Sequence, residues 1–447
     1  MPTGGARSPA LATTMPPTAA IKTLGCKLNQ YESEQIREQL VRLGYTLTVF
    51  SSPADLYVIN TCTVTSAADR DARKLARQAR RLNAAAFIVV TGCYAEVAAA
   101  ELEAMPEIDL VSGMSDKLRL AELLPATHLP SAPPDHTSHL VEHFAHHTRC
   151  MVKIQEGCNA RCSYCIIPEA RGPSRSVPFD EVCEQTRKLA LAGHPELVLI
   201  GTHLGQYGRD LEGAPDLAEL VVRLAAIPEV LRLRLSSIEP REVTEGIVKL
   251  VRDGGRALES PPTAGRGKLC RYLHIPLQSG CDAVLQRMNR PYTADFYAEL
   301  ICRIHEAQPA TGLGADVIVG FPGETDAEFD ATRALLESLP LSYLHVFTYS
   351  PRQGTPAAAM AGQVPPPVKA SRNLALRELS ERKRTEFARG MIGQRLETVL
   401  QTPQPDGWLQ GVTDNYLPLR VQADDSHVGQ LRVCEVVAEE DGGLAGE

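Results

Sequence analysis

Over the first quarter of the chain, short apolar runs alternate with stretches whose apolar residues recur at helical spacing. The runs at 20–24, 56–60 and 87–91 have the length and composition of buried strands, and the stretches between them read as crossover helices. This βαβ alternation predicts a parallel sheet over 20–124. A Pro- and His-rich stretch, 125–147, reads as a linker or surface loop. The alternation then resumes, with apolar runs at 151–155, 197–200, 231–235, 272–276, 315–319 and 344–348 separated by helical patterns such as 180–192, 217–226 and 326–338. Six βα repeats predict a partial, TIM-like (βα)6 barrel over 148–380, with 260–268 as a surface insertion. After Pro365, Pro366 and Pro367 a polar helix runs to about Gly390. Short alternating runs at 397–400, 408–412, 417–421 and 430–437 predict a small all-β barrel as the last domain, 381–447. The fold class is therefore α/β with a terminal β-barrel. Residues 1–19, dominated by Pro, Ala, Thr and Gly, are expected to be a disordered leader, with Met15 an alternative start.

Composition narrows the class. A chain of 447 residues has room for about three domains. With 44% hydrophobic and 22% charged residues it is neither globally disordered nor fibrous. No apolar run approaches the roughly 18–20 residues that span a bilayer, so no membrane partner is expected. The N-terminus lacks the apolar centre of a secretory signal, which points to a cytoplasmic, reducing compartment. There the twelve cysteines are expected as metal ligands, catalytic thiols or buried residues rather than disulfides. The net charge of −8 disfavours a nucleic-acid partner on average, yet two segments are basic. Arg70, Arg73, Lys74, Arg77, Arg80 and Arg81 recur at helical spacing, and 369–395 carries eight Lys or Arg against Glu378, Glu381 and Glu386. The plain reading of either is a solvated helix face.

Cys158, Cys162 and Cys165 form a C-x3-C-x2-C pattern directly after the first barrel strand. Three thiolates on one tight loop can ligate three irons of a cubane cluster and leave the fourth open to a cofactor or substrate. Structural zinc wants a fourth ligand, and no Cys or His stands at finger spacing; a redox pair Cys162/Cys165 is a further rival. Cys26, Cys62 and Cys93 each follow the end of one of the three N-terminal strands. In a parallel sheet those ends share one edge, so a second three-thiolate cluster is inferred there, with Gly25 and Gly92 allowing close approach. Cys150, Cys183, Cys270, Cys281, Cys302 and Cys434 fit neither pattern and read as ordinary thiols. The six histidines from His128 to His147 are irregularly spaced and read as a solvated loop.

The loop Gln155-Glu156-Gly157-Cys158 with Cys162 and Cys165 resembles the cluster loop of radical S-adenosylmethionine enzymes. The chain from Ile21 to Val437 resembles their methylthiotransferase family. The matching motifs include Thr23-Leu24-Gly25-Cys26-Lys27-Leu28-Asn29, Asn60-Thr61-Cys62-Thr63-Val64-Thr65 and Thr91-Gly92-Cys93-Tyr94. They also include Ile166-Ile167-Pro168-Glu169-Ala170-Arg171-Gly172, Pro276-Leu277-Gln278-Ser279-Gly280 and Asp316-Val317-Ile318-Val319-Gly320-Phe321-Pro322-Gly323-Glu324, while the C-terminal segment resembles the TRAM RNA-binding barrel. Glu169 departs from the family, where an aromatic residue is common.

The resemblance implies two [4Fe-4S] clusters and S-adenosylmethionine. The iron at Cys158, Cys162 and Cys165 would bind S-adenosylmethionine, whose one-electron cleavage gives a 5′-deoxyadenosyl radical. The cluster at Cys26, Cys62 and Cys93 would hold the sulfur that is methylated and passed to C2 of an adenine. Lys27-Leu28-Asn29 after the first cysteine resembles the branch acting on N6-threonylcarbamoyladenosine at tRNA position 37, beside the anticodon. N6-isopentenyladenosine and a ribosomal-protein aspartate are the targets of the sister branches, and a non-catalytic metal-cluster RNA-binding protein is the reading from another class. Implied partners are the tRNA anticodon loop, a low-potential electron donor such as a flavodoxin or ferredoxin, and a sulfur source. Polar groups at the barrel strand ends, Thr202, Gln206, Ser236, Glu239, Gln278 and Ser279, are the candidate cofactor contacts. Gly320, Gly323 and Glu324 resemble the family's glycine-bearing strand end near the adenine. The terminal barrel, the basic helix and the Arg70–Arg81 face are the candidate phosphate contacts, which makes salt-sensitive binding the expectation.

Overall fold

A computed structural model describes residues 16–128, 144, 148–253, 267–440 and 443–447. The expected leader, linker and insertion lie largely outside the described residues, as do five of the six clustered histidines. The chain divides into two compact units. The first comprises Met1–Leu24, Glu32–Thr61 and Arg70–His139, and the second Gly25–Tyr31, Cys62–Asp69 and Leu140–Glu447. No helix among the described residues is long and apolar enough to cross a membrane.

In the first unit five parallel strands lie side by side: β1 (Thr18–Thr23), β2 (Thr46–Thr48), β3 (Leu56–Thr61), β4 (Phe87–Gly92) and β5 (Leu110–Ser112), in the order β2-β1-β3-β4-β5. Every residue of β3 is buried, as expected of a central parallel strand covered on both faces. Tyr57, Ile59, Ile88 and Val90 pack against Ala72, Ala76 and Ala79 on one side, and Leu56, Val58 and Val89 against Ile36, Leu40 and Leu43 on the other. The three predicted strands stand within two residues of their expected bounds. The two edge strands are three residues long, too short to show a period.

The second unit contains all six expected barrel strands. β6 (Arg149–Lys153) is followed by a two-stranded ribbon, β7 (Gln155–Glu156) with β8 (Arg175–Ser176), and then by β9 (Glu196–Ile200), β10 (Leu233–Leu235), β11 (Tyr272–His274), β12 (Gly312–Val319) and β13 (Tyr343–Thr348). Among the described residues they form two parallel halves, β10-β9-β6 and β11-β12-β13, joined by the isolated bridges Leu233↔Leu269 and Ser237↔His274. Among the described residues β6 and β13 are not paired, so the barrel is partial. Leu197, Leu199, Leu233, Leu235, Leu273, Leu313, Ala315 and Leu344 pack on the helices. Their alternates, Glu196, Arg234, Tyr272, His274, Asp316, Tyr343 and His345, therefore face the concave side.

Helix Pro366–Arg389 begins with Pro at its first position, where the missing N–H costs nothing, and runs straight through the domain boundary expected at 380/381. The terminal barrel starts at Arg395: β14 (Arg395–Gln404), β15 (Trp408–Thr413), β16 (Pro418–Gln422), β17 (Leu431–Glu440) and β18 (Gly443–Gly446) close in the order β14-β15-β16-β18-β17. The closing strand β18, Gly-Leu-Ala-Gly, carries no β-branched residue and gave no sequence signal. On the barrel's surface the Arg420 guanidinium lies 4.6 Å from the centroid of the Trp408 ring.

A buried ionic network joins this barrel to the larger one. Arg232 Nε and Arg234 Nε both donate to the fully buried Glu196 carboxylate, at 2.7 and 2.8 Å. Arg232 also reaches the carbonyls of Glu397 (2.8 Å) and Val412 (3.0 Å), and Arg234 those of Thr413 (2.9 Å) and Asp414 (3.2 Å). The Asp414 side chain is held bidentately by Arg271 at 2.6 and 3.1 Å. Burial alone would raise the Glu196 carboxyl, but the Arg232 and Arg234 guanidiniums overcome it and hold it well below the usual carboxylate range.

Candidate active site

Cys158, Cys162 and Cys165 sit on the turn between β7 and helix Ile167–Arg171. Gly157 takes φ +75°, and a Cβ there would collide with the Pro173 carbonyl, so only glycine lets the chain enter this turn. Gln155 clamps the turn, its Nε2 donating to Gly157 O (2.7 Å) and Ser174 Oγ (2.9 Å) while its Oε1 accepts from His203 N (2.8 Å). Ser163 fixes the middle of the turn by donating to the carbonyls of Met288 and Arg287. Asn289, at φ +56°, donates to Arg161 O at 2.6 Å.

Donors converge on the sulfurs. Ala160 N lies 3.4 Å and His203 Nδ1 3.3 Å from Cys158 Sγ, and Arg290 Nη1 lies 3.2 Å from Cys162 Sγ. Arg290 also pairs with Glu239 and donates to Tyr292 Oη at 2.9 Å. His203 Nε2 lies 2.9 Å from Glu242 Oε2. Burial would lower the His203 imidazole, but Cys158 and Glu242 facing it raise it to about 10. Burial pushes the Cys165 thiol up to about 12. A thiol so placed becomes a thiolate only beside a strong cation, which suits a metal ligand better than a free nucleophile. The turn faces two hollows: one of about 650 Å³ lined by all three cysteines, Glu169 and Thr355, the other of about 530 Å³ lined by Cys162, His203, Gln206, Glu239, Arg241 and Arg290.

The expected cofactor contacts separate into two groups. Gln206 and Glu239 line the second hollow, where they bind Glu242 and Arg290. Thr202 Oγ1 is buried without a hydrogen-bond partner among the described residues. Ser236 is buried at the end of β10, its N–H donating to Leu199 O. The others hold turns. Ser279 is fully buried with its Oγ 3.2 Å from Thr332 Oγ1, and Gln278, at φ +69°, donates its N–H to Asp316 O. Gly320 N donates to Glu324 Oε2, which Arg372 Nη1 binds at 2.6 Å, and Gly323 N donates to Gly362 O. His203, Glu242 and Arg290 were missed by the sequence reading. His203 stands between two expected contacts, a signal that was there to use; Arg290 follows no motif that singles it out.

Of the second triad, Cys26 and Cys62 belong to the larger unit and Cys93 to the smaller. Gly25 takes φ +96°, and a Cβ on it would lie 2.7 Å from Cys62 Sγ, so the glycine brings the backbone before Cys26 against Cys62. The segment after Cys62 is tied to the core by Arg352, whose Nη2 donates to Thr63 Oγ1 (2.6 Å) and Asp69 Oδ2 (2.5 Å). The segment after Cys26 is tied by Arg171 Nη2 to Asn29 Oδ1 at 2.6 Å. Cys93 is buried at the start of helix Cys93–Val97, directly after β4. None of the twelve cysteines is in a disulfide.

The candidate phosphate contacts shrink. On the helix Pro366–Arg389, Arg372 is buried against Glu324 and Asp326, Lys383 donates to the Glu337 and Leu339 carbonyls, and Arg389 pairs with Glu439. On the helix Ser66–Leu82, Arg73 pairs with Glu101 and Arg80 with Asp109. These cations hold the fold, and Lys369, Arg77, Arg382 and Arg384 also have partners in Tyr349 O, Glu107, Glu337 and Glu381, which leaves Arg377 and Arg395, and Arg70, Lys74 and Arg81, as the phosphate candidates among the described residues.

Residues 18–113 match the Uncharacterized protein family UPF0004, and residues 152–336 the Radical SAM superfamily. The chain is 37% identical over 431 residues to the threonylcarbamoyladenosine tRNA methylthiotransferase MtaB of Bacillus subtilis, covering 93% of this chain and 92% of that one. It is 32% identical over 449 residues to the tRNA-2-methylthio-N(6)-dimethylallyladenosine synthase of Maricaulis maris, covering 95% and 96%. Among solved structures it is similar to the radical S-adenosylmethionine methyltransferase TsrM of Kitasatospora setae, with TM-score 0.54 at 16% identity over 77% of each chain, which supports the fold alone. With both domains matched and identities above 30% over nearly the full length, the chain belongs to the methylthiotransferase family of radical S-adenosylmethionine enzymes.

Proposed function

We propose that the protein adds a methylthio group to C2 of N6-threonylcarbamoyladenosine at position 37 of tRNA, using S-adenosylmethionine and two [4Fe-4S] clusters. The observation that carries the substrate is the 37% identity to a threonylcarbamoyladenosine enzyme against 32% to a dimethylallyladenosine enzyme, together with Lys27 after the first cysteine. Cys158, Cys162 and Cys165 hold one cluster and Cys26, Cys62 and Cys93 the other. Bound there, the clusters supply the electron for cleaving S-adenosylmethionine and the sulfur for transfer. The protein's part is to position. Arg290, His203 and Ala160 N donate toward the sulfurs, which favours the reduced, more negative state. Thr202 and the 530 Å³ hollow offer polar groups to the cofactor's amino-acid and ribose parts. An electron donor and a sulfur source complete the reaction.

The test is mass spectrometry of tRNA nucleosides from a host lacking the activity, with and without the protein expressed. A methylthio increment on threonylcarbamoyladenosine that disappears with Cys62→Ala supports the reading. An increment on isopentenyladenosine alone overturns the substrate.

A further inference from the structure

Lys27 leads into a polar hollow of about 270 Å³ with Gln30, Arg149, Arg234, Gln401 and Tyr416 on its walls. Among the described residues the charges around it do not balance. Lys27, Arg149, Arg232 and Arg234 gather about one carboxylate, Glu196, and the nearby Asp414 is taken by Arg271. Glu196 is itself committed to Arg232 and Arg234, so Arg149 reaches it only at 3.5 Å, and Arg149 Nε is buried without a hydrogen-bond partner among the described residues. Lys27 is exposed at the mouth of the hollow, and its Nζ has no hydrogen-bond or ion-pair partner among the described residues, although Tyr416, Arg149, Arg234 and Glu196 all bear on it. Uncompensated cations in a partly enclosed cavity favour an anionic occupant and disfavour a hydrocarbon one. The concave face continues from the hollow as a set of rings: Tyr416 lies 4.5 Å from Tyr272 and 6.2 Å from Tyr343, and Tyr343 and His274 each lie 5.0 Å from His345.

We propose that this hollow is the subsite for the carboxylate that ends the threonylcarbamoyl group, with Lys27 as the residue that determines specificity and Arg149 as its companion. The inference rests on the function proposed above and deepens it. A threonylcarbamoyl substituent ends in a carboxylate at neutral pH, whereas an isopentenyl substituent is neutral and apolar. Lys27 is one residue from Cys26, so the cation that reads the substituent at N6 is carried by the same segment as a ligand of the sulfur-donating cluster. Tyr272, Tyr343 and His274 are buried against one another, so among these rings the exposed His345 and the half-buried Tyr416 are the ones that offer a base a face to stack on. The nucleobase thus enters with its N6 tail toward Lys27 and Arg149.

The test compares two anticodon stem–loop RNAs on the cluster-loaded enzyme, one bearing N6-threonylcarbamoyladenosine and the other its neutral carboxamide. Binding is read by fluorescence anisotropy at fixed ionic strength, and cluster content by iron and sulfide analysis confirms that each variant is folded. The enzyme is expected to favour the carboxylate RNA by about tenfold or more, Lys27→Gln to bring that preference within about twofold, and Lys27→Arg to keep most of it. Equal weakening of both RNAs by Lys27→Gln assigns the hollow to a backbone phosphate and overturns the proposal. So does a preference that Lys27→Gln leaves unchanged. An unmodified enzyme that methylthiolates threonylcarbamoyladenosine but binds both RNAs alike overturns this subsite alone. One that leaves threonylcarbamoyladenosine untouched and modifies isopentenyladenosine overturns the substrate reading as well.

Discussion

Arg290 touches three groups at once: the Cys162 sulfur, the Glu239 carboxylate and the Tyr292 hydroxyl. Its N–H toward sulfur stabilises added negative charge, so Arg290→Gln is expected to shift the cluster's reduction potential in the negative direction and to slow S-adenosylmethionine cleavage by about 10- to 100-fold. A redox titration followed by electron paramagnetic resonance reads the first and 5′-deoxyadenosine formation the second; an unchanged potential would leave Arg290 a packing residue. At this scale the sequence was readable where chemistry imposes spacing. Three cysteines within eight residues do share one turn, and three more do each follow one of three strands, as their places in the sequence suggest. His203, Glu242 and Arg290 come from separate segments and meet only in three dimensions, so no periodicity marks them. Lys27 was singled out in the sequence, but nothing there brings it together with Arg149, Arg232 and Arg234, which lie far along the chain and meet it only in three dimensions.

The loop from Gly157 to Cys165 shows what a single element demands of its backbone. At Gly157 a left-handed φ coincides with a Cβ position already filled by the Pro173 carbonyl. Gly157→Ala is expected to cost about 1–3 kcal/mol in local strain alone and to lower the iron bound by the Cys158 turn, while the second triad keeps its own. Cluster reconstitution followed by iron and sulfide counts decides it; full loading at the Cys158 turn would show that the turn has another way to close. The long elements were legible because a buried parallel strand is a continuous apolar run, as at Leu56–Thr61, and because Pro at a first helical position marks a start, as at Pro366. Elements of three or four residues, Thr46–Thr48, Leu110–Ser112 and Gly443–Gly446, were not legible, since their partners and not their own sequence make them strands. The basic helix was legible only in part. Its composition suggested a surface for phosphate, yet the 3.6-residue repeat turns Arg372 and Lys383 inward onto acceptors.

Across the molecule, the Glu196 network ties the partial barrel to the terminal one, because the arginines that neutralise Glu196 also bind carbonyls at 397 and 412–414. Glu196→Gln leaves two buried guanidiniums without their countercharge and is expected to cost about 3 kcal/mol or more. Glu196 is held below its ordinary value of 4.5, so its contribution is complete above that pH and is lost as the pH falls further toward the folded-state value. The stability gap between the wild-type protein and Glu196→Gln, measured by denaturant titration, is therefore expected to be constant near neutrality and to narrow below about pH 4.5; a gap that widens there would contradict a depressed carboxyl. The same tie predicts that both barrels unfold together. Trp408 is the chain's one tryptophan, and it lies on the terminal barrel beneath Arg420. Indole emission from the whole protein is consequently a label-free beacon on that barrel, while visible absorbance of the bound clusters reports on the opposite end of the reaction path. Coincident melting of the two colours would record one cooperative body, and a change in emission on adding RNA would time the arrival of tRNA before any sulfur moves.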